Sequence, residues 1–562
     1  MIAPLLALAL AAATPEVDAG SAMVADAGLD AGALDAIADA GAMEDAGSGS
    51  DTLDAGVIPL VEQDAGFEQD AGPIATSVEP LPPPQAIPLL DFSTPTNFRF
   101  SGEFRSKLLI DTNFESRPGE PLAENVAELQ SWVNFGAQAD FGDHAHAVAE
   151  VRMRHRAVEQ RSPPGEFFWL LNGQNPKATL EVYAGEAYVD LYTHYVDFRI
   201  GNQVLAFGAN ATGAPADVMN PLDLREGIFF ADDPADVKLP VPAIRARGTV
   251  YDFDWMVAWA PFFVPDRYDL YGQDEALIQP ALGAAVPAQS LLTVAQQDRA
   301  QQPLIETDRP LDTPENGDIG LRVTHKLGPT TLGIDYVISR EKIPEVIIDP
   351  ELARFLAEGP GANFSDPATA LSLQQRVASG EQLLHGSFPR FAVGEVEGSA
   401  LVGPAQIDVD IAHSASRLFV DSHLNPVFHP LSTAEVTAAD ARGTQLTLAA
   451  SVVAIWIHDI PQGERIVILD RPGTEDSAHQ TIGGFVALLV GYRTWQNKLE
   501  GEARGYLDPR QGSYAVGLRG AWNVNDRVHV LAGYQRFQGP AESPFGYFRR
   551  NDAAWGGIRL DL

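Results

Sequence analysis

An alternation of apolar and polar residues begins at Asn97 and recurs as far as Leu562. It limits what this chain can fold into more than any other feature. In Ala554-Trp-Gly-Gly-Ile-Arg-Leu-Asp-Leu, the residues Ala554, Gly556, Ile558, Leu560 and Leu562 share one face of an extended strand. Trp555, Gly557, Arg559 and Asp561 share the other, because successive side chains of a strand point to opposite sides. Such segments run to about ten to sixteen residues, longer than the usual soluble strand of about five or six. A chain ending inside a strand must pair that strand with another. The fold class is therefore all-β: a transmembrane antiparallel up-and-down barrel with an apolar outer face. A sandwich or propeller would also alternate. Strand length argues against them, as do Trp132, Trp255, Trp456 and Trp522, placed near strand ends like an interfacial girdle.

The 562 residues include no cysteine, which excludes disulfides, thiolate metal ligands and cysteine nucleophiles. The longest apolar runs, Met1–Ala13 and Ile482–Val490, fall short of the ~20 residues a membrane-spanning helix needs. A closed barrel is the other structure that satisfies backbone groups in lipid. The net charge of −38 argues against a nucleic-acid partner, since phosphate binding needs a basic surface. Residues 1–98 hold 16 Asp and Glu and no Lys or Arg, which leaves −38 + 16 = −22 on the remainder.

Met1–Ala13 reads as the apolar core of a signal peptide, with Ala11 and Ala13 at the cleavage positions. Residues 14–96 follow as an acidic periplasmic tether. Asp-Ala-Gly recurs there eight times at irregular spacing, which is low complexity rather than a solenoid. Such sequence buries too little apolar surface to fold. A periplasmic or cell-wall partner is expected to act through it, and Glu79-Pro-Leu-Pro-Pro-Pro ends it as a stiff extended stretch.

Residues 97–562 form the barrel. In outer-membrane barrels short periplasmic turns alternate with long outer loops, so loop length fixes strand direction. Phe141-Gly-Asp-His, Asp252–Asp254, Lys326-Leu-Gly-Pro-Thr and Gly403-Pro404 are short turns. Residues 208–241, 265–316 and 342–388 are long loops, the last with a helix-like run from Pro350 to Gln382. Counted forward, Thr444–Trp456 runs downward as strand 12; counted back from Leu562, Thr481–Gly491 also runs downward. An upward strand is needed between them, and Glu464–Leu469 is the candidate, after a turn at Pro461-Gln-Gly. The count is then about eighteen, with sixteen as the alternative.

Barrels of ~16–18 strands enclose water, so inward faces are read as pore lining. The pore-lining and constriction residues expected are Arg105, Arg152, Arg154, Arg156, Arg199, Asp223, Arg225, Glu226, Arg245 and Arg247. A basic excess on the strands holding Arg152–Arg156 and Arg245–Arg247 would favour small polar or anionic solutes; pairing with lumen carboxylates would instead make these arginines braces. The loop 208–241 is the expected constriction, with Phe229 and Phe230 packed inside the wall and Asp223, Arg225 and Glu226 projecting into the pore.

Arg199-Ile-Gly-Asn-Gln-Val-Leu-Ala-Phe-Gly, Asn220-Pro-Leu-Asp and Leu239-Pro-Val-Pro resemble the "R-x-G-x-Q … W-G", "N-P-x-D" and "L-P-x-P" elements of Gram-negative outer-membrane channel proteins. That family includes porin-like and polysaccharide-export barrels. The likeness covers about fifty residues, and Phe207 stands where the family usually has tryptophan. It implies an outer-membrane barrel in contact with membrane lipid and lipopolysaccharide. Two further functions follow as alternatives: a polysaccharide or lipid export barrel, and a structural or adhesive surface protein with a plugged lumen. No catalytic residue, cofactor or metal site is expected. His144 and His146 share a strand face beside Asp143 without a third ligand, and His325 and Ser339 face different ways.

Overall fold

The computed structural model describes residues 97–112, 125–160, 178–209, 214–226, 237–268, 313–351, 367–379, 383–420, 426–440, 445–462, 481–494, 498–540, 543–549 and 551–562, with a few positions between them. The expected signal peptide and tether lie outside the described residues. Eighteen strands form one antiparallel sheet. In chain order they are β1 (Asn97–Asp111), β2 (Asn125–Phe141), β3 (Ala145–Gln160), β4 (Ala178–Tyr192), β5 (Asp197–Gln203) and β6 (Val241–Val250). Next come β7 (Phe253–Ala260), β8 (Asp318–Leu327), β9 (Thr330–Arg340), β10 (Arg390–Val402), β11 (Ala405–Val420) and β12 (Pro426–Asp440). The last six are β13 (Leu446–Ile457), β14 (Ile482–Arg493), β15 (Leu499–Asp508), β16 (Ser513–Asn525), β17 (Val528–Gln538) and β18 (Ala553–Asp561).

Each strand pairs with its neighbours in sequence, and β18 returns to β1 with Leu560 opposite Phe104 and Ala554 opposite Ile110. The ring is closed, so no backbone edge is left to lipid. One end carries the tight turns, including Gly328-Pro329 and Gly403-Pro404, whose glycines adopt φ +63° and +60°. That left-handed conformation is cheap only for glycine. The described parts of the connections after β5, β7, β9 and β13 lie at the other end. Among them sit a small sheet of Glu306–Thr307, Glu345–Ile348 and Leu384–Ser387 and a helix, α1 (Pro367–Ser379). Among the described residues no helix is long and apolar enough to cross a membrane.

The expected count of eighteen strands is met, but one strand is not where the sequence placed it. Trp456 pairs directly with Ile482 and Leu446 with Tyr492, so β13 and β14 leave no room for Glu464–Leu469. Glu464 instead lies against β12, where its carboxylate meets His429, and Ile466 is buried. The missing strand is β12, which pairs with β11 and β13. As a result Leu446–Ile457 runs upward rather than downward. Pro430 obscures β12 in the sequence. Proline cannot donate to a ladder, and the partner strand shifts register there, from Ser414 opposite Leu431 to Arg417 opposite His429. The bulge accommodates the missing donor.

The outward face is apolar all round: Phe100 (77% exposed), Leu180 (72%), Ile334 (63%), Val396, Leu488, Trp522 and Ile558 are among its exposed side chains. A belt of this size would be costly in water and fits hydrocarbon. Trp456 and Trp522 stand on this face. Trp132 does not. It shares the parity of the inward Gln130 and lies beneath Arg105 and Lys107, 5.8 and 5.2 Å from the cationic centres. Trp132 therefore belongs to the lumen rather than to the expected girdle.

Candidate functional site

The connection between β5 and β6 does not arch over the barrel mouth. It folds inward and is bound to the wall on two sides. Its neck is built by the motif residues. Asn220 accepts a hydrogen bond from the Leu205 N–H at Oδ1 (2.8 Å) and donates to the Leu239 carbonyl (2.8 Å). The Gln203 amide donates to the Ala243 carbonyl (3.0 Å), and the Leu239 N–H to the Pro221 carbonyl (2.8 Å). Gln203 and Asn220 are almost fully buried; Asn220 uses both ends of its amide, as a buried polar group should, while Gln203 bonds through its NH2 end. The N-P-x-D and L-P-x-P elements are thus the two sides of a hinge that turns the loop into the lumen.

Beyond the neck, residues 205–209 and 214–219 pack against β6–β11. Leu205, Phe207, Ala216, Val218 and Met219 form a dry cluster with inward side chains that include Val337, Phe391 and Val393. Gly320 of β8 makes room for it: a Cβ there would stand 2.3 Å from the Phe207 ring and 2.9 Å from the Met219 sulfur. The backbone of this segment is held by wall carboxylates. Gly208 N–H donates to Asp335 Oδ2 (2.8 Å), Ala209 N–H to Asp410 Oδ1 (3.1 Å) and Ala216 N–H to Glu395 Oε2 (2.7 Å).

Residues 221–226 are anchored to β3 and β4. Asp223 accepts from Arg154 (2.8 Å) and from Arg225 (2.7 Å), and Arg225 donates side-on to Glu181 (2.6 and 3.0 Å). Burial alone would raise the Asp223 carboxyl, but Arg225 and Arg154 outweigh it and hold it at about 2. A second inward segment joins here: Leu222 N–H donates to Asp266 Oδ1 (2.7 Å), and Leu224 N–H to the Arg267 carbonyl (2.8 Å). The Asp266 carboxyl is pushed up to about 7 by burial, which the Leu222 N–H and Lys342 only partly offset.

Most of the expected pore residues sit inside this assembly or beside it as paired groups. Arg105 bonds Glu103 (2.8 Å), Arg156 bonds Glu128 (2.5 and 3.1 Å) and Arg152 meets Glu150 (3.3 Å). Arg199 bonds Asp190 side-on (2.7 and 3.0 Å) and stacks on Tyr188 (3.8 Å). Arg247 lies 3.7 Å from Asp197. Arg245 faces Arg199 across the β5–β6 pair. The structure brings Arg154, Asp223 and Arg225 into one buried cluster and leaves Arg247 and Arg152 more open. Glu226 closes a short turn of helix after them, and its side chain, like Phe229 and Phe230, lies outside the described residues. His146 pairs with Asp140 (2.6 Å) while His144 is exposed in the turn.

Sequence reasoning missed the opposite wall. Asp335, Glu395, Glu397, Asp408, Asp410 and Glu435 face inward from β9 to β12, and all are buried. The signal was available: Glu395-Val-Glu and Asp408-Val-Asp place two acids on one strand face.

The lumen is filled unevenly. Five or six residues in from the turn end, Asp335 and Glu397 have side chains 0% and 3% exposed, sealed under the loop. At comparable depth Glu103 (20%), Glu150 (30%) and Arg504 (17%) remain open.

The family described as "Protein of unknown function (DUF1302)" has a model that matches residues 171–552, more than half of the chain. No curated protein matches. Among solved structures, the chain is similar to the Salmonella typhi OmpF in complex with daunomycin, at 9% identity and a TM-score of 0.37, over 83% of this chain and 97% of that one. It is similar also to a mutant of the Rh. blastica porin, at 12% identity and a TM-score of 0.33, over 83% of this chain and 100% of that one. By the family match, the chain belongs to the DUF1302 family.

Proposed function

For this member of the DUF1302 family we propose a channel of the Gram-negative outer membrane that passes small polar solutes and is narrowed by the inward loop 204–240. One observation carries the reading. At the same depth in the lumen, charges on β9–β10 are sealed while those on β1, β3 and β15 stay open to solvent. A loop that fills one side of a wide barrel and leaves the other wetted is a constriction. A lumen filled for strength alone would seal both sides.

The open side would supply the lining. Arg152 with Glu150, and Arg504 with Glu502, alternate in sign there, and Arg559 meets both Glu103 and Asp561. Mixed pairs give no net field along the path, so solutes of either charge would pass. This widens the anionic preference that the arginines alone suggest. Arg154, Arg156, Arg199, Asp223 and Arg225 would act as braces that set the width of the passage, since their charges are already matched.

Reconstitution of the purified full chain into planar bilayers tests this. Discrete conductance steps are expected, with a reversal potential near zero under a potassium chloride gradient. Folded, inserted protein that gives no steps would refute the channel. A strong preference for one ion sign would refute the mixed lining.

A further inference from the structure

We propose that Asp335, Glu395 and Glu397 bind one oxygen-preferring divalent cation of the calcium type, which fastens the loop at Gly208 and Ala216 to the barrel wall. One carboxylate oxygen from each of the three lies within 4.8 Å of the other two. Two oxygens on one Ca²⁺, each at about 2.4 Å, can be no more than about 4.8 Å apart, so the three fit a common ion. All three side chains are buried, at 1%, 1% and 3% exposure.

Two of their oxygens are orphans. Asp335 Oδ1 and Glu395 Oε1 are buried and accept no hydrogen bond. The other oxygen of each is occupied by a loop amide, Gly208 N–H on Asp335 and Ala216 N–H on Glu395. The orphan oxygens are therefore not the ones that hold the loop amides: Glu395 Oε1 lies under the Cα of Gly208, and Asp335 Oδ1 lies on the side of Arg322. Glu397 is held side-on by Arg322 (3.0 and 2.9 Å), whose Nε is 3.8 Å from Asp335 Oδ1. Among the described residues, these three carboxylates against the Arg322 guanidinium leave −3 + 1 = −2. A buried excess of that size is costly unless something neutralises it.

The backbone is shaped around the group. A Cβ at Gly208 (φ +87°) would lie 2.6 Å from Glu395 Oε1, and one at Gly333 would lie 2.2 Å from Glu397 Oε1. Glycine at both positions lets the carboxylates reach one another. With only oxygen donors, the site suits calcium or magnesium rather than zinc or copper. Carboxylates from two strands in irregular array suit the looser demands of calcium.

The test uses the full chain, stripped with chelator, in detergent. Calcium titration by calorimetry should show one saturable equivalent, and calcium should slow hydrogen exchange at Gly208 and Ala216 at least tenfold. Glu395→Gln should abolish that equivalent, while Glu502→Gln, on the open wall, should retain it. If Glu395→Gln fails to give a heat-modifiable barrel, Asp335→Asn serves, with the same expected loss. No saturable calcium binding would overturn the proposal and leave the excess charge to bound protons. Binding that survives both substitutions would overturn it by placing the ion elsewhere.

Discussion

Gly320 is where a single atom separates a seated loop from a displaced one. Its missing Cβ is the space into which Phe207 and Met219 fit. Gly320→Val should leave the wall paired, since β8 is otherwise regular, and push the loop off its seat. Overpacking of this kind costs about 1–3 kcal/mol, so amide exchange across 205–219 should quicken about ten- to a hundredfold. Unchanged exchange would mean the loop is not seated on this glycine. Asp266 gives a pH-dependent case. Its folded pKa, about 7, lies above the ordinary aspartate value, so the folded state holds the proton more tightly than the unfolded one. Its contribution is therefore fully present at low pH and fades as pH rises through about 7. Asp266→Asn keeps an oxygen to accept from Leu222 and removes the ionisation. It should stabilise the protein by about 1–2 kcal/mol at pH 8, after solvent screening, and do little at pH 3, below the ordinary aspartate pKa. Thermal unfolding at the two pH values decides. Neither residue could be singled out from the sequence, because each acts through a contact across about a hundred or fewer intervening positions rather than through a local pattern. Asn220 and Gln203 were legible, as motif residues, but their work as a hinge was not.

At the scale of elements, the inward connection is the part that a functional experiment can remove. Residues 209–219 carry two of the amides that grip the wall, those of Ala209 and Ala216, and end at the Asn220 neck. Replacing them by a short glycine-serine link should preserve all eighteen strands and raise single-channel conductance severalfold. Equal conductance would show that this segment does not set the width. The strands themselves were readable wherever an apolar outer face alternates with a polar inner one, as in β1 or β18. They were not readable where that rule is broken. In β12, Pro430 interrupts the alternation and small residues blunt it, whereas Glu464-Arg-Ile-Val-Ile-Leu has the composition of a strand, but Trp456 pairs directly with Ile482 and so leaves it no place between β13 and β14. Strand parity required one more element, and composition assigned it to the wrong segment. The acidic wall was overlooked for a related reason: arginines were weighed as lining while Glu395-Val-Glu and Asp408-Val-Asp were not.

For the whole molecule, closure governs stability. β18 contributes a ladder to β1 on one side and to β17 on the other. A chain stopped at Asp552 would expose both of those edges to lipid, where each unsatisfied backbone group costs several kcal/mol. It should fail to give a heat-modifiable barrel on electrophoresis and fail to insert into liposomes. Efficient insertion would mean that seventeen strands can close without it. The filling of the lumen has an electrical consequence. A voltage applied across a water-filled conduit falls mostly over its most resistive stretch. In the channel proposed above, that stretch would be the section narrowed by the inward loop, around Asp223, Arg154 and Arg225. The ion pairs that hold the loop would then sit where the field is steepest, and an imposed potential would pull their opposite charges in opposite directions.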